Sequence, residues 1–257
     1  MERIFMKVIE NKTEQKKIGM LTPSSNTVLE PICSNMVCGM EKTVTMHYGR
    51  FKVTKISLEE DALDQFDEEP MMEAARLLAD ADVDVIAWNG TSGGWLGFDA
   101  DRHLCEAIEK ETGIPATTSM LAQMKAFEHF GVKNIHLITP YLEPINEKIK
   151  QEYEKNGIHV VNATCLGQYV NRSFALVEQE KIHKMFDEVC KDKADGISVV
   201  CTNFPAMWSV VEMEKKYGIT VYDTINTVVW DACRMVGVDV SAIKNWGQLF
   251  EKRDAHV

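Results

Sequence analysis

Short apolar runs rich in β-branched residues alternate along this chain with longer stretches whose apolar positions recur at helical spacing. That alternation predicts strands of a parallel sheet joined by helices. Residues 17–21 read as a first strand. The hydroxyl-rich turn Thr22-Pro23-Ser24-Ser25-Asn26-Thr27 follows and can cap a helix beginning near Val28. Residues 43–53 read as the second strand and 69–81 as the second helix. The third strand, 83–88, ends in Asn89-Gly90-Thr91-Ser92-Gly93-Gly94, and a helix over 100–112, a strand over 113–117 and a helix over 120–130 complete the series.

The order then begins again. Thr22-Pro23 after the first strand is echoed by Thr139-Pro140 after the run 133–138, and Ile114 by Ile219. The apolar run 83–88 leading to Gly90-Thr91 is echoed by Gly196-Ile197-Ser198-Val199-Val200, which leads to Cys201-Thr202. Any two strand–helix–strand segments can match once by chance, but three matched pairs in the same order predict a duplication, two α/β halves of similar length. With the halves facing each other about a pseudo-twofold axis, the strand ends at Gly90 and Cys201 meet across one cleft, a common place for a ligand.

Composition narrows the field. The chain has 257 residues, 45% hydrophobic and 26% charged, a globular balance long enough for one large domain or two small ones. A formal charge of −11 argues against nucleic acid or an anionic membrane as partner. No stretch is long and apolar enough to span a bilayer, and residues 1–17 lack the layout of a signal peptide, so a cytoplasmic location is expected. The seven cysteines are odd in number and irregular in spacing, which disfavours a disulfide framework, and neither they nor the histidines fall in a metal-ligand pattern. Phosphate-binding glycine loops are absent from the sequence, so no nucleotide cofactor is expected, and none of any other kind.

Candidate chemistry therefore centres on Cys201. A thiol in the loop after a buried strand serves as nucleophile or proton donor, or packs as an inert core cysteine. The strand-end position and the flanking Thr202 and Asn203 favour the functional reading, whereas Cys105, Cys190 and Cys233 lie within helical patterns and read as core. Thr91, Ser92 and Tyr141 are strand-end hydroxyls that the repeat brings to the same cleft, where with backbone N–H groups they can hold a carboxylate and the enediolate formed from it. Each alone reads equally as a cap or turn residue. Asn26 either orients a substrate or caps its helix. Trp95 and Trp208 each follow a site loop and either wall the pocket or pack against the sheet.

Several motifs taken together resemble one family: Pro23-Ser24-Ser25-Asn26-Thr27, Gly90-Thr91-Ser92, Thr112-Gly113-Ile114-Pro115, Thr139-Pro140-Tyr141-Leu142, the run ending at Cys201, and Trp230-Asp231-Ala232-Cys233-Arg234. The chain is similar over about residues 17–250 to the aspartate/glutamate/hydantoin racemase superfamily, in the branch that contains arylmalonate decarboxylase and maleate cis-trans isomerase. The resemblance implies two similar Rossmann-like (flavodoxin-like) α/β domains with parallel sheets related by a pseudo-twofold, and an active site in the cleft between them. Residues 17–117 with 225–250 are expected to form the N-terminal domain and 118–224 the C-terminal domain, after a charged tail over 1–16.

The resemblance also implies cofactor-free chemistry beside a carboxylate. Racemases and the isomerase of the superfamily carry a cysteine at both strand ends, whereas Gly90 and Cys201 here match the one-thiol arrangement of the decarboxylase. Cys201 is then the expected proton donor. Thr91, Ser92, Tyr141 and the Cys201–Thr202 loop are the expected dioxyanion hole around Gly90, with Asn26 nearby and Asn171 as a further asparagine. Thr202 and Asn203 depart from the glycines that follow the decarboxylase cysteine and are more like the isomerases.

The expected function is a cofactor-independent decarboxylase of a substituted malonate-like acid. A maleate isomerase or amino-acid racemase, and a non-catalytic carboxylate-binding protein, are the alternatives. The expected partner is a small carboxylate or dicarboxylate, and an assembly of identical copies is compatible with the sequence.

Overall fold

The computed structural model describes residues 15–59 and 68–251, so most of the charged tail lies outside the described residues. Strands and helices alternate throughout. The first half runs β1 (Lys16–Pro23), α1 (Leu29–Met36), β2 (Val44–Phe51), α2 (Glu68–Ala79), β3 (Val85–Trp88), α3 (Phe98–Thr112), β4 (Ala116–Thr118) and α4 (Ser119–Phe130). The second runs β5 (Asn134–Thr139), α5 (Glu143–Lys155), β6 (His159–Cys165), α6 (Gln179–Val189), β7 (Gly196–Val199), α7 (Val210–Tyr217), β8 (Thr220–Asp223) and α8 (Thr224–Met235).

Two parallel four-stranded sheets result, ordered β2-β1-β3-β4 and β6-β5-β7-β8. The order is identical in the two halves, as the repeat predicts. β3 and β7 are buried at every residue, which is why their sequences are unbroken apolar runs instead of alternating ones. In this strand order successive strands are added to one side of β1 and then to the other, so the order reverses between β1 and β3, and likewise between β5 and β7. Crevices at such switch points, beyond the carboxyl ends of the strands, are where open α/β sheets bind ligands.

Three of the boundaries that differ from the sequence expectation do so for a clear local reason. β1 runs on through Thr22 and Pro23 because these pair in register with Arg50 and Phe51 of β2. The fourth strand begins at Ala116, because Gly113 is taken by the end of α3: its φ of 71° is left-handed, and its N–H closes the helix on the Glu109 carbonyl. α2 stops at Ala79, with Asp82 turning at a φ of 51° before β3.

The halves are tied by their last helices. Asp231 of α8 accepts from Thr117 Oγ1 of β4 at 2.6 Å and from Lys125 Nζ of α4 at 2.7 Å. Gln123 of α4 donates to the Tyr222 carbonyl of β8 at 2.7 Å, and its amide oxygen takes the Tyr153 hydroxyl. Farther on, Thr220 of β8 donates to Gln248 at 3.0 Å. Among the described residues no helix is long and apolar enough to cross a membrane.

Candidate active site

Four loops converge at the two switch points: 24–28 after β1, 89–92 after β3, 140–142 after β5 and 200–204 after β7. Asn89 and Thr202 join the two halves directly, the Thr202 hydroxyl donating to the Asn89 carbonyl at 3.1 Å. The strand ends carrying Gly90 and Cys201 therefore meet, as the pseudo-twofold requires.

The sulfur of Cys201 lies at the end of a chain of hydroxyls. Thr91 Oγ1 and the Tyr141 hydroxyl are 2.7 Å apart, and Tyr141 in turn bonds to the thiol. Burial pushes the Cys201 thiol up to about 12, against the pull of the Tyr141 hydroxyl and of the Asn203 and Phe204 N–H groups aimed at it. The same burial, reinforced by the neighbouring sulfur, raises Tyr141 well above its ordinary value. At neutral pH both groups hold their protons. Trp95 and Phe174 grip the Tyr141 ring edge-on at 5.5 and 5.4 Å, which fixes where its hydroxyl points.

The asparagines brace this chain. Asn26 does both things the sequence left open: its Oδ1 caps α1 by accepting from the Val28 and Leu29 N–H groups, and its Nδ2 donates to Thr202 Oγ1 at 3.1 Å. Arg50 supports the same loop from behind, donating to the Ser24 and Asn26 carbonyls. Asn171 reaches the site from the single helical turn Asn171–Phe174, donating to Ser25 Oγ at 2.8 Å. Its carbonyl accepts from Asn203 Nδ2 at 2.7 Å, and Asn203 Oδ1 accepts the Thr27 N–H. Ser92 accepts from the indole N–H of Trp88 at 3.2 Å. Cys201, Tyr141, Thr91, Thr202, Asn26 and Asn171 thus belong to one bonded cluster, and Gly90 and Ser92 flank Thr91 at its edge.

The cleft is closed: Cys201 is 2% exposed, and Asn26, Thr91, Ser92, Tyr141, Asn171 and Thr202 are all buried. Asn171 is held in place by a strap in which Lys55 and Val170 form an antiparallel bridge, Ile56 N–H donates to the Tyr169 carbonyl and Asn171 N–H to the Thr54 carbonyl. Trp208 neither walls the pocket nor packs on the sheet; it is 54% exposed against Trp246 at 5.5 Å.

Sequence reasoning missed two groups at the centre. Asp223, the last residue of β8, is fully buried beside Cys201, Tyr141 and Cys33, and burial pushes its carboxyl up to about 8. One oxygen caps α8 at Ile225 N–H and the other has no hydrogen-bond partner. The next residue, Thr224, accepts the Cys201 N–H at 3.2 Å. The repeat held a signal for Asp223, since Thr118 caps α4 from the end of β4 in the same way. The second missed group is Trp88, which had read only as strand interior.

With this geometry in hand, comparison with known proteins becomes informative. A profile of the arylmalonate decarboxylase family matches residues 40–250. The chain belongs to that family. Arylmalonate decarboxylase of Bordetella bronchiseptica is 25% identical over 188 residues, 72% of this chain and 78% of that one. Maleate isomerase of Alcaligenes faecalis is 24% identical over 233 residues, 86% and 89% of the two chains.

Among solved structures, a Nocardia farcinica maleate cis-trans isomerase has a TM-score of 0.85 at 18% identity, covering 93% of this chain and 100% of that one. It is a cysteine-to-serine variant with a covalently bound succinylcysteine intermediate. An arylmalonate decarboxylase variant in liganded form, with one glycine changed to cysteine and one cysteine to serine, gives 0.81 at 20% identity, with coverage of 93% and 100%. This member of the arylmalonate decarboxylase family shares the fold of both.

Proposed function

We propose that this chain, a lyase or isomerase by its family, is a cofactor-independent decarboxylase of a substituted malonate-like acid, with Cys201 as proton donor. The observation that carries the reading is a buried thiol, Cys201, bonded to the Tyr141 hydroxyl at a strand end whose counterpart in the first half, Gly90, has no side chain. Addition of sulfur to a double bond needs a thiolate, whereas a thiol whose burial keeps it protonated is suited to giving its proton away. Two-faced chemistry needs a second acid or base, and Gly90 has none to offer.

In the proposed reaction the bond between the α-carbon and one carboxylate breaks and its electron pair stays on the α-carbon. Carbon dioxide leaves, and the remaining carboxylate becomes an enediolate. Thr91, Ser92 and the loop at Cys201 and Thr202 supply donors to its two oxygens. The S–H of Cys201 then delivers its proton to the α-carbon. The thiolate left behind is held by the Tyr141 hydroxyl and the Asn203 and Phe204 N–H groups until water reprotonates it on opening. The closed cleft supports this order of events, because excluding water strengthens each of these interactions. The paired segments 54–56 and 169–171, the second of which leads into Asn171, are the part that opens for exchange of substrate and product.

The test is mass-spectrometric turnover on a panel of mono- and disubstituted malonates, maleate and chiral α-substituted acids in deuterated water, run beside Cys201→Ala. Loss of carbon dioxide from a malonate, abolished in the variant, is the expected result. Conversion of maleate, or deuterium exchange into a chiral acid without loss of carbon dioxide, would replace this reading with an isomerase or racemase. Ligand-induced stabilisation without any turnover would leave a binding protein.

A further inference from the structure

The position that matches Cys201 in the first half is not empty. A Cβ added at Gly90 would lie only 2.1, 2.4 and 2.5 Å from Cζ2, Cη2 and Cε2 of the six-membered ring of Trp88, far closer than carbon atoms approach without bonding. Residues two apart on an extended segment project to the same side, so Trp88 and residue 90 compete for one volume. The indole is not free to leave it: Trp88 is 1% exposed, its ring lies 5.0 Å from that of Phe51, and its N–H is bonded to Ser92 Oγ. An indole N–H can only donate, so it takes a lone pair of Ser92 and leaves the Ser92 proton to be given elsewhere.

The second half solves the same corner differently. Val199 ends β7 between Ile138 and Asp223, as Trp88 ends β3 between Leu21 and Thr118. Two residues on stands Cys201. A small side chain followed by a thiol in one half is matched by a large side chain followed by none in the other.

We propose that Trp88 is a specificity-determining residue: its indole fills the space from which a second acid would act, closes that face of the substrate and directs the Ser92 hydroxyl toward the carboxylate. The product is then protonated from the Cys201 face alone. This deepens the decarboxylase reading and rests on it. Changing Gly90 alone does not open the second face.

The test compares the parent with Gly90→Cys, Trp88→Val, which copies the second half, and the pair together, with Trp88→Leu taking the place of the valine variant should that fail to fold. Two readouts are taken: the thermal midpoint, and the enantiomeric composition of product from a malonate bearing one methyl and one aryl substituent. Gly90→Cys alone is expected to lower the midpoint, to slow turnover at least tenfold and to give one enantiomer still. The pair is expected to lose less midpoint than the two single losses combined, and to drive its product toward a racemate.

A Gly90→Cys protein with the parental midpoint and a racemic product would overturn the proposal, as would a pair whose losses simply add. The two readings fail separately. A parent that turns over no malonate while the midpoints stay coupled removes the decarboxylase and keeps the packing claim. A parent that decarboxylates to a racemate keeps the enzyme and removes Trp88 as the closing residue.

Discussion

At the end of β7 a valine and then a thiol stand two apart; at the end of β3 the same two positions hold an indole and a glycine. The backbones follow one plan, in strand order and in the way the residue ending β4 or β8 caps the next helix. Only the side chains differ, and they differ as a pair. What the contrast teaches is that a duplicated site with a side chain in one copy and none in the other differs by more than that side chain. A buried space left by a missing side chain is a cavity, and cavities in close-packed interiors are costly, so another group fills it. In the proposed reaction the filling group also borders the substrate.

The contrast can be broken most forcefully at the sulfur. Cys201→Ala is expected to lower decarboxylation by at least about 10³-fold with the fold intact, since the proton donor is gone while the hydroxyls remain; steady-state turnover beside circular dichroism measures both. Next in size is Tyr141→Phe, which removes the hydroxyl between Thr91 and the sulfur. A loss of about 10²-fold is expected, and Thr91→Ala combined with it should add little, because the two act as one chain.

A third substitution probes stability on the other side. Gly90→Ala, which adds a single methyl group against Trp88, is expected to destabilise by about 1–3 kcal/mol in denaturant unfolding, with the loss relieved in a Trp88→Val background.

The remaining effect concerns pH. Asp223, beside the sulfur, has its carboxyl raised from 3.8 to about 8 by burial, so the folded protein holds a proton there that the unfolded chain has released. Its contribution to stability is fully present below about pH 4 and is lost as pH rises through about 8, with a slope of at most about 1.4 kcal/mol per pH unit. Asp223→Asn should flatten that slope. Denaturant unfolding at pH 5, 6.5 and 8 checks it, and parallel pH profiles of the two proteins would contradict the assignment.

Much of this site could be read before any coordinates, for a physical reason. Strand ends at a topological switch point are marked in sequence by where apolar runs stop, and the polar residues just beyond, Asn26, Thr91, Ser92, Tyr141 and Thr202, have little freedom to go elsewhere. Asn171 was harder, since it lies on a long connection after β6 whose path depends on the strap it forms with 54–56. Asp223 was hidden because a capping aspartate looks the same whether or not its second oxygen is satisfied. Trp88 was hidden because an apolar residue in an apolar run says nothing about which neighbour its ring covers.

Periodicity, turn chemistry and the internal repeat, all local or nearly local properties, determined the α/β class, the duplication and the choice of Cys201 and its hydroxyl neighbours. Tertiary structure decided that the cleft closes, that Asn26 is at once a cap and a bridge, and that Gly90 lies beneath an indole. Those three depend on which side chains from distant segments compete for one volume and one set of hydrogen bonds, and such competition exists only once the two halves are packed together.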